Sequence, residues 1–434
     1  MKEADDAVKC DLLEARFVDL LGRVKAMAIP LSRPSAEVAE IARDPAVAKG
    51  VSADGSSVAG YMDIQDSDLH LDPDPTTVFR LPYDPRRAAA YCNVYPKGAR
   101  EPFQADSRAR LKAVLSEYLT SQQRIDIKPE LEFFLFRDGR PADEGQYLDV
   151  SPDNALCEQL DAFFRALAEM GVDVERVHHE CAPGQVEVEL DFAPVVTQAD
   201  RLVSSKLLIR AMARRAGLEA NFMPKPIAGA AGSGMHVHLR LYDGENNAFA
   251  GREGALSAVG RHFVAGLLEH APALTAVCNP SVNSYKRLVP GHEAPVYISW
   301  GYRNRSTLVR IPLATAPENT AVEFRSPDAT CNVYLALAAI VAAGMDGVRR
   351  GLEPPEARPE NVYDLSPAQL RRLRVRPLPG TLGEALDALE RDEVVQGALG
   401  PLLAPQFQAT QRAAWDEYLH FAVTDWELER YRDL

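Results

Sequence analysis

Residues 129–136 read PELEFFLF, a stretch in which carboxylates alternate with apolar side chains. Successive side chains of a strand point to opposite faces, so Glu130 and Glu132 share one face while apolar side chains occupy the other. Phe134 and Phe136 fall on the carboxylate face, which is therefore partly apolar. The pattern predicts a sheet strand with one packed face and one face that carries chemistry.

Three further segments place polar side chains two residues apart, and a fourth places a glutamate, Glu180, just before a Pro-Gly turn in HHECAPGQ. One such pair alone is usually a solvated strand face. The recurrence favours a shared site instead. The three pairs are Glu187 and Glu189 in QVEVEL, His236 and His238 in GMHVH, and Glu323 and Arg325 in VEFRS.

Carboxylates held close together raise one another's pKa unless positive charge lies among them. A cluster of divalent cations meets that requirement. Five carboxylates and one imidazole form an oxygen-rich ligand set, which suits Mg²⁺ or Mn²⁺ better than a structural zinc. Such cations commonly serve phosphoryl transfer, where they neutralise developing charge. The sequence therefore predicts a metal site with anion-binding side chains nearby.

The stretch 286–312 supplies those cations in a chain that is otherwise acidic. Its arginines alternate with Trp300, Tyr302 and Leu308, which indicates partial burial, and a buried arginine needs an anion. A cationic surface loop is the alternative. The glycines of GAAGSGMHVHL either let the backbone approach a ligand or form a plain turn. The cations of the stretch are Lys286, Arg287, Arg303, Arg305 and Arg310.

The composition excludes several classes of protein. The chain has 434 residues and a formal net charge of -14, which argues against a general nucleic-acid or anionic-membrane surface. Its first ten residues, MKEADDAVKC, lack the basic and apolar runs of a signal peptide, and no stretch is long and apolar enough for a membrane span. We expect a cytoplasmic protein with no nucleic-acid partner.

The length and the pattern of turns predict two domains, residues 1–100 and 101–434. Residues 11–31 indicate strand, turn and strand with Gly22 at the turn. A Pro/Gly-rich stretch around Gly98 reads as the linker, and a helix capped by Asp106 or Ser107 follows it. The lack of regular strand-helix alternation favours an α+β fold with an antiparallel sheet. The aromatic C-terminal tail is expected to dock on its own domain or on a neighbouring subunit.

The quoted motifs, together with ADGSS and the 286–312 stretch, resemble those of glutamine synthetases of the bacterial and archaeal type, in order along almost the whole chain. The resemblance implies a small β-grasp N-terminal domain and a catalytic domain with a curved antiparallel sheet flanked by helices. It also implies a dodecamer of two hexameric rings, with each active site between neighbouring subunits. The implied reaction is an ATP-dependent ligation of ammonia to glutamate through an acyl phosphate.

The resemblance also assigns residues by motif. One metal site resembles Glu132, Glu180 and Glu187, and the other resembles Glu130, His236 and Glu323. Substrate-binding positions are Ser57, Gly232, Arg287 and Arg325. Nucleotide-binding positions are Glu175, Phe192, His238 and Arg310. Catalytic positions are Asp54, which helps to remove a proton from ammonium, Glu293 on a flap that closes the site, and Arg305, which contacts phosphate.

Three positions depart from the pattern of the family. Ala231 replaces an asparagine expected to bond glutamate, Ala321 replaces a nucleotide-binding arginine, and Glu318 lies where a basic residue is common. Arg240 shares the strand face of His236 and His238 and either restores the missing positive charge or points to solvent. Three functions therefore stay open: a glutamine-forming ligase, a ligase for another amine or acid, and a non-catalytic regulatory relative.

Overall fold

The computed structural model describes residues 8–62, 67–291 and 293–434. The first seven residues, on which part of the localisation argument rests, lie outside this range. The N-terminal domain is a six-stranded sheet with two short helices, α1 (Val38–Ile41) and α2 (Pro45–Lys49). Its strands are β1 (Cys10–Val18), β2 (Val24–Ser35), β3 (Val51–Asp54), β4 (Asp68–Pro73), β5 (Phe79–Leu81) and β6 (Asp84–Pro96).

The strands of this first sheet lie in the order β2-β1-β6-β4-β3, and β5 pairs with β6. β1 and β2 form the antiparallel hairpin that the sequence predicts, whereas β1 and β6 run parallel. Gly22 lies in the hairpin turn with φ of +77°. A Cβ there would lie 2.9 Å from the Asn332 Cα, so the turn can pack on the second domain only with glycine.

The second domain holds an eleven-stranded sheet in the order β16-β17-β18-β13-β7-β10-β9, with β8, β11 and β12 also paired to β7, and β14 to β13. β15 and β19 form a separate pair. Its strands are β7 (Gln123–Arg137), β8 (Arg140–Pro141), β9 (Val174–His179), β10 (Gln185–Leu190), β11 (Ala193–Pro194), β12 (Glu219–Asn221), β13 (Val237–Asp243), β14 (Asn246–Asn247), β15 (Tyr297–Ile298), β16 (Trp300–Tyr302), β17 (Val309–Ile311), β18 (Val322–Phe324) and β19 (Arg376–Pro377).

This sheet is antiparallel apart from the parallel pair of β16 and β17, and helices flank it. The α+β prediction is confirmed. The helices are α3 (Ser107–Tyr118), α4 (Cys157–Glu169), α5 (Val195–Arg215), α6 (Ala258–Glu269), α7 (Ala271–Cys278), α8 (Ser284–Arg287), α9 (Val333–Arg350), α10 (Pro367–Arg372), α11 (Leu382–Leu389), α12 (Glu393–Leu399), α13 (Leu403–Phe421) and α14 (Asp425–Tyr431).

Two helices follow from their local sequence. Asp106 caps α3, accepting hydrogen bonds from the backbone N–H groups of Arg108 and Ala109. α9 is apolar nearly all round, and its side chains from Val333 to Met345 are buried. No helix of the described residues is long and apolar enough to cross a membrane.

Polar contacts join the two domains. The Tyr91 hydroxyl of β6 lies 2.8 Å from the Ser204 hydroxyl of α5. On the same helix, Asp200 accepts hydrogen bonds from Arg108 at 2.9 Å and from the Tyr334 hydroxyl at 2.6 Å. A buried ion pair with these additional hydrogen bonds fixes α5 against both domains.

Trp415 of the C-terminal tail packs against the core of its own chain, but the apolar side chains from Phe421 onward are exposed. Phe421 is 79% exposed and Trp426 is 59% exposed, and Leu428 and Tyr431 are also exposed. The sequence predicted that the tail docks either on its own domain or on a neighbouring subunit. α14 does not bury its apolar side chains on its own domain, so the neighbouring subunit stays as the prediction for this helix.

Candidate active site

The register of the large sheet brings the polar strand faces side by side. In the antiparallel pair of β7 and β10, Glu130 lies opposite Glu189 and Glu132 lies opposite Glu187. Residues directly opposite each other in such a pair point to the same face. The carboxylates that were two residues apart in sequence therefore form a compact group on one face.

β13, β17 and β18 extend this face on the other side of β7. His238 lies opposite Glu323, and Arg310 also lies opposite Glu323 from the far side. The face opens into a cavity of about 1120 Å³, lined by side chains of β7, β9, β10 and β13 and of the segment 287–325. Four of the predicted motifs thus meet in one cavity.

Glu130, His236 and Glu323 form one candidate metal group, because their ligand atoms lie within 4.8 Å of one another. His236 Nδ1 is 2.8 Å from Glu130 Oε2 and 3.9 Å from Glu323 Oε1. Burial, with the Arg325 guanidinium nearby, lowers the pKa of His236 to about 4. The imidazole is therefore neutral at neutral pH, which is the form that binds a metal.

A second candidate group consists of His178, Glu180 and Glu187, whose ligand atoms also lie within 4.8 Å of one another. The sequence predicted Glu132 in place of His178. Glu132 lines the same cavity, where its Oε2 accepts a hydrogen bond of 2.8 Å from the Gly234 backbone N–H. His178 was missed because the register that places it opposite Glu187 is not visible in sequence.

The electrostatics of the two groups fit divalent cations. Burial, with the Glu180 carboxylate nearby, raises the pKa of Glu132 to about 7. Burial and the Glu132 carboxylate raise the pKa of Glu187 well above its ordinary value. Although burial opposes it, the imidazoles of His238 and His236 hold the pKa of Glu130 well below its ordinary value. Glu132 and Glu187 thus resist ionisation beside each other, and a hard cation between them would favour their charged forms.

Arginines bound the cavity opposite the carboxylates. Glu323 is fully buried and accepts hydrogen bonds from Arg310 Nη1 at 2.6 Å and from Arg325 Nη1 at 2.7 Å. Arg287 is 3% exposed and donates to backbone carbonyls. Arg305 lies exposed among the lining residues. The structure thus places all four predicted arginines at the cavity.

Gly232 occupies a position that admits no side chain. A Cβ there would lie 2.6 Å from the Pro224 carbonyl oxygen and 2.8 Å from Arg287 Cγ. The Gly232 carbonyl accepts a hydrogen bond of 3.0 Å from Gln185 Nε2. The backbone therefore lies directly against the Arg287 side chain and lines the cavity.

The predicted nucleotide positions form one end of the cavity. Glu175, Phe192, Arg240 and Ala321 all line it. The Arg240 guanidinium lies 3.7 Å from the centre of the Phe192 ring and donates to Asn319 Oδ1 at 3.4 Å. Arg240 therefore lines the cavity and does not point away from it. His238, also predicted for this end, lies with Nε2 2.7 Å from Glu130 Oε1.

Lys128 and Glu189 are two lining residues that the sequence argument did not assign. Lys128 Nζ is 2.7 Å from Glu189 Oε2 and also pairs with Glu175. The sequence pattern could have identified Lys128 as a site residue, because it precedes Glu130 by two residues and shares its strand face. A buried lysine between two carboxylates fixes Glu175 at the nucleotide end.

The structure separates two predicted residues from the others. Asp54 and Ser57 line a shallow pocket of the N-terminal domain, together with Lys25, and not the main cavity of the same chain. Glu293 does line the main cavity, with φ of +57°. Within one chain, the main cavity therefore contains the predicted metal ligands, the arginines and Glu293 but not the predicted ammonium-binding residues Asp54 and Ser57.

Family models match both domains: the glutamine synthetase beta-Grasp domain at residues 9–97 and the glutamine synthetase catalytic domain at residues 104–431. The chain belongs to the glutamine synthetase family. The prediction of a β-grasp domain followed by a catalytic domain of this family is confirmed, and with it the class of ATP-dependent ligases.

Relatives and solved structures agree with this membership. A glutamine synthetase of Methanocaldococcus jannaschii is 42% identical over 431 residues, covering 96% of this chain and 94% of that protein. One of Thermotoga maritima is 42% identical over 395 residues, covering 88% and 89%. The structure of a GmaS complex with ADP superposes with a TM-score of 0.86 at 33% identity, covering 98% of this chain and 97% of that one.

Proposed function

We propose that the protein joins ammonia to the side-chain carboxylate of glutamate, using ATP. The observation that carries this proposal is the meeting of two metal-ligand groups and four arginines in one cavity. The names of the curated relatives support it, since proteins about 40% identical over nearly the whole chain are glutamine synthetases. The ADP in the related GmaS structure supports a nucleotide in the same cavity.

Two or more Mg²⁺ or Mn²⁺ ions would lie on this face. Glu130, His236 and Glu323 would hold one, and Glu180 and Glu187 with Glu132 or His178 would hold the other. When bound, the ions supply positive charge that stabilises the transferring phosphoryl group. The Glu323 carboxylate is already oriented by two arginines, and such outer contacts fix a ligand for binding.

The arginines account for the binding of the two substrates. Arg287, which packs against Gly232, and Arg325 would grip the glutamate carboxylates, because a guanidinium matches a carboxylate in shape and charge. Arg305 and Arg310 would face the phosphates. A glutamate side-chain oxygen attacks the terminal phosphorus and ADP leaves, giving an acyl phosphate. Ammonia then attacks the acyl carbon and phosphate leaves.

Asp54 would take a proton from ammonium before that second attack. Because Asp54 lies outside the main cavity of its own chain, it would act in the cavity of a neighbouring subunit. Glu293, on the loop that borders the cavity, would help to exclude water from the acyl phosphate. We further propose a dodecamer of two hexameric rings, with the exposed aromatic tail buried between subunits, a domain boundary near residue 100, and a cytoplasmic location.

The reaction is tested with purified protein, ATP, Mg²⁺ and glutamate, measuring phosphate release across a panel of amines. We expect ammonia to stimulate release more than methylamine or larger amines. Stimulation by another amine alone, or by another acid in place of glutamate, would show that the protein is a ligase for a different amine or acid. Ala231 is the observation that favours a different acid, because it replaces an asparagine expected to bond glutamate. If no phosphate is released under any condition, the protein is not a ligase, and a non-catalytic regulatory role is the alternative that is left.

The shared site is tested by mixing two inactive variants, Asp54→Ala and Arg305→Gln. If each site draws Asp54 from a neighbour, mixed assemblies contain some sites with both residues intact, and activity returns on subunit exchange. Mixing two preparations of Asp54→Ala is the matched control. A stable species of 47.6 kDa in sedimentation, the mass of one chain, would contradict the proposal.

A further inference from the structure

A second cavity lies between the two domains, away from the candidate active site. Its volume is about 760 Å³, and it shares no lining residue with the main cavity. The β1–β2 turn forms one wall, α5 forms another, and the rest comes from Leu218–Met223 and from the segment that precedes α9. Nothing in the proposed reaction uses it.

Four cations line this cavity: Arg23, Lys206, Arg210 and Arg214. Within the described residues, no carboxylate oxygen lies within 4 Å of any of them. Glu219 also lines the cavity, but its carboxylate is more than 4 Å from all four cations. The four cations therefore form a patch of positive charge in a chain with a net charge of -14. Arg201, on the same helix, shows the ordinary case, because it pairs with Asp173 at 3.3 Å.

The cations surround an apolar floor. Phe222 is 5% exposed, and its ring centre lies 5.7 Å from Lys206 Nζ and 5.1 Å from the Arg210 guanidinium carbon. Burial lowers the pKa of Lys206 to about 8, and burial and Arg214 lower the pKa of Arg210. Lys206 Nζ donates to the Ala329 carbonyl oxygen, whereas Arg23, Arg210 and Arg214 are exposed at the mouth of the cavity. Like charges this close repel one another, and a bound anion would offset that repulsion.

We propose that this cavity binds a small metabolite with a dianionic group, a phosphate or a pair of carboxylates, and an apolar part that lies on Phe222. Arginine side chains recognise both groups with paired hydrogen bonds. The volume exceeds that of a single ion and suits a molecule of metabolite size. The site goes beyond the proposed reaction, and a ligand there would contact both domains at once.

The test is calorimetric titration of the full-length assembled protein with inorganic phosphate and, separately, with succinate. The double variant Arg210→Gln with Arg214→Gln should lose one bound dianion per chain, or bind it at least about tenfold more weakly, since a charge-assisted hydrogen bond contributes roughly 1.5–3 kcal/mol. The affinity of the main cavity for anions and the rate of phosphate release with ATP should both be unchanged. The probe that binds more tightly identifies the dianion.

Arg201→Gln is the control, because it removes one arginine charge from the same helix at a position outside the cavity. Equal weakening by this control would overturn the proposal, since it would mark a non-specific effect of charge. Wild-type protein that binds dianions in the active site alone would also overturn it. So would disassembly of the double variant without any lost anion, because the cations would then contact carboxylates of a second copy of the chain.

Discussion

The main cavity has two halves, one with the proposed metal ligands and one with the proposed nucleotide-binding residues, and they match the pattern expected of the family to different extents. In the metal half, every predicted ligand is present, buried or half-buried, and surrounded by partners. In the nucleotide half, the arginine expected at residue 321 is an alanine that is 4% exposed, and Arg240 stacks on Phe192 instead. The two halves therefore differ in how closely they follow the pattern expected of the family.

The difference has a physical reason. A metal site needs several ligand atoms at fixed short distances, so the loss of one ligand is not replaced from another direction. A triphosphate carries charge spread over many oxygens and can accept a guanidinium from more than one side. The four predictions that follow test this asymmetry, beginning with the largest expected effect.

His236→Ala should reduce ammonia-dependent phosphate release by more than about a hundredfold. Even the loss of a residue that only contacts a metal ligand typically lowers metal affinity or activity about 10- to 100-fold. The fold should persist, since a neutral imidazole is removed from a cluster of carboxylates. Unfolding in denaturant and steady-state kinetics measure the two effects. His262→Ala is the control, because His262 bonds a backbone carbonyl outside the cavity. Wild-type turnover in His236→Ala at low Mg²⁺ would contradict the metal assignment.

Mg²⁺ should stabilise the wild-type protein against denaturant by about 2.7 kcal/mol at a hundred times its dissociation constant, the shift expected for a ligand of the folded state. Burial and the neighbouring carboxylates raise the pKa of Glu187 and Glu132, and a bound cation would offset both effects. Glu187→Gln should lose most of this stabilisation, while its stability in EDTA should equal or exceed that of wild type. An equal response to Mg²⁺ in both proteins would place the ions elsewhere.

Ala231→Asn should lower the KM for glutamate by about tenfold if glutamate is the acid, because it restores one hydrogen bond to a charged substrate. The kcat should change little, since the contact is present in the ground state as well. Initial rates over a range of glutamate concentrations measure both constants. Ala230→Asn is the matched control on the adjacent lining residue. A raised KM would indicate that the space at residue 231 serves a different acid.

Much of this architecture follows from sequence, and the exceptions have a common cause. The same-face pairs, the Gly22 turn and the Asp106 cap depend on residues close in the chain, so local rules predict them. His178 and His179 are adjacent, yet one joins the metal group and the other bonds Asp143. Strand register decides between them, and register is a property of two segments.

The cavity between the domains was invisible to sequence reasoning for the same reason. Its cations come from the β1–β2 turn and from α5, and these two segments are about 180 residues apart in the sequence. Each one alone reads as an ordinary surface side chain. The packing of Gly22 against Asn332 and the contact of Tyr91 with Ser204 of α5 bring the two segments together.

The smallest expected effect concerns Arg240, which tests whether the nucleotide half has been rearranged or weakened. Arg240→Ser should weaken ATP binding about three- to tenfold, and adding Ala321→Arg should recover much of the loss, because either guanidinium can reach the triphosphate. Coupling of about 0.5–3 kcal/mol in this double-mutant cycle, measured by equilibrium binding of ATP, is the expected signature. Arg124→Ser is the matched control, since Arg124 also stacks on a ring, 4.1 Å from that of Tyr242, without lining the cavity. Unchanged affinity in Arg240→Ser would mean that the charge lost at Ala321 is not replaced, and the nucleotide half would then be weakened while the metal half stayed intact.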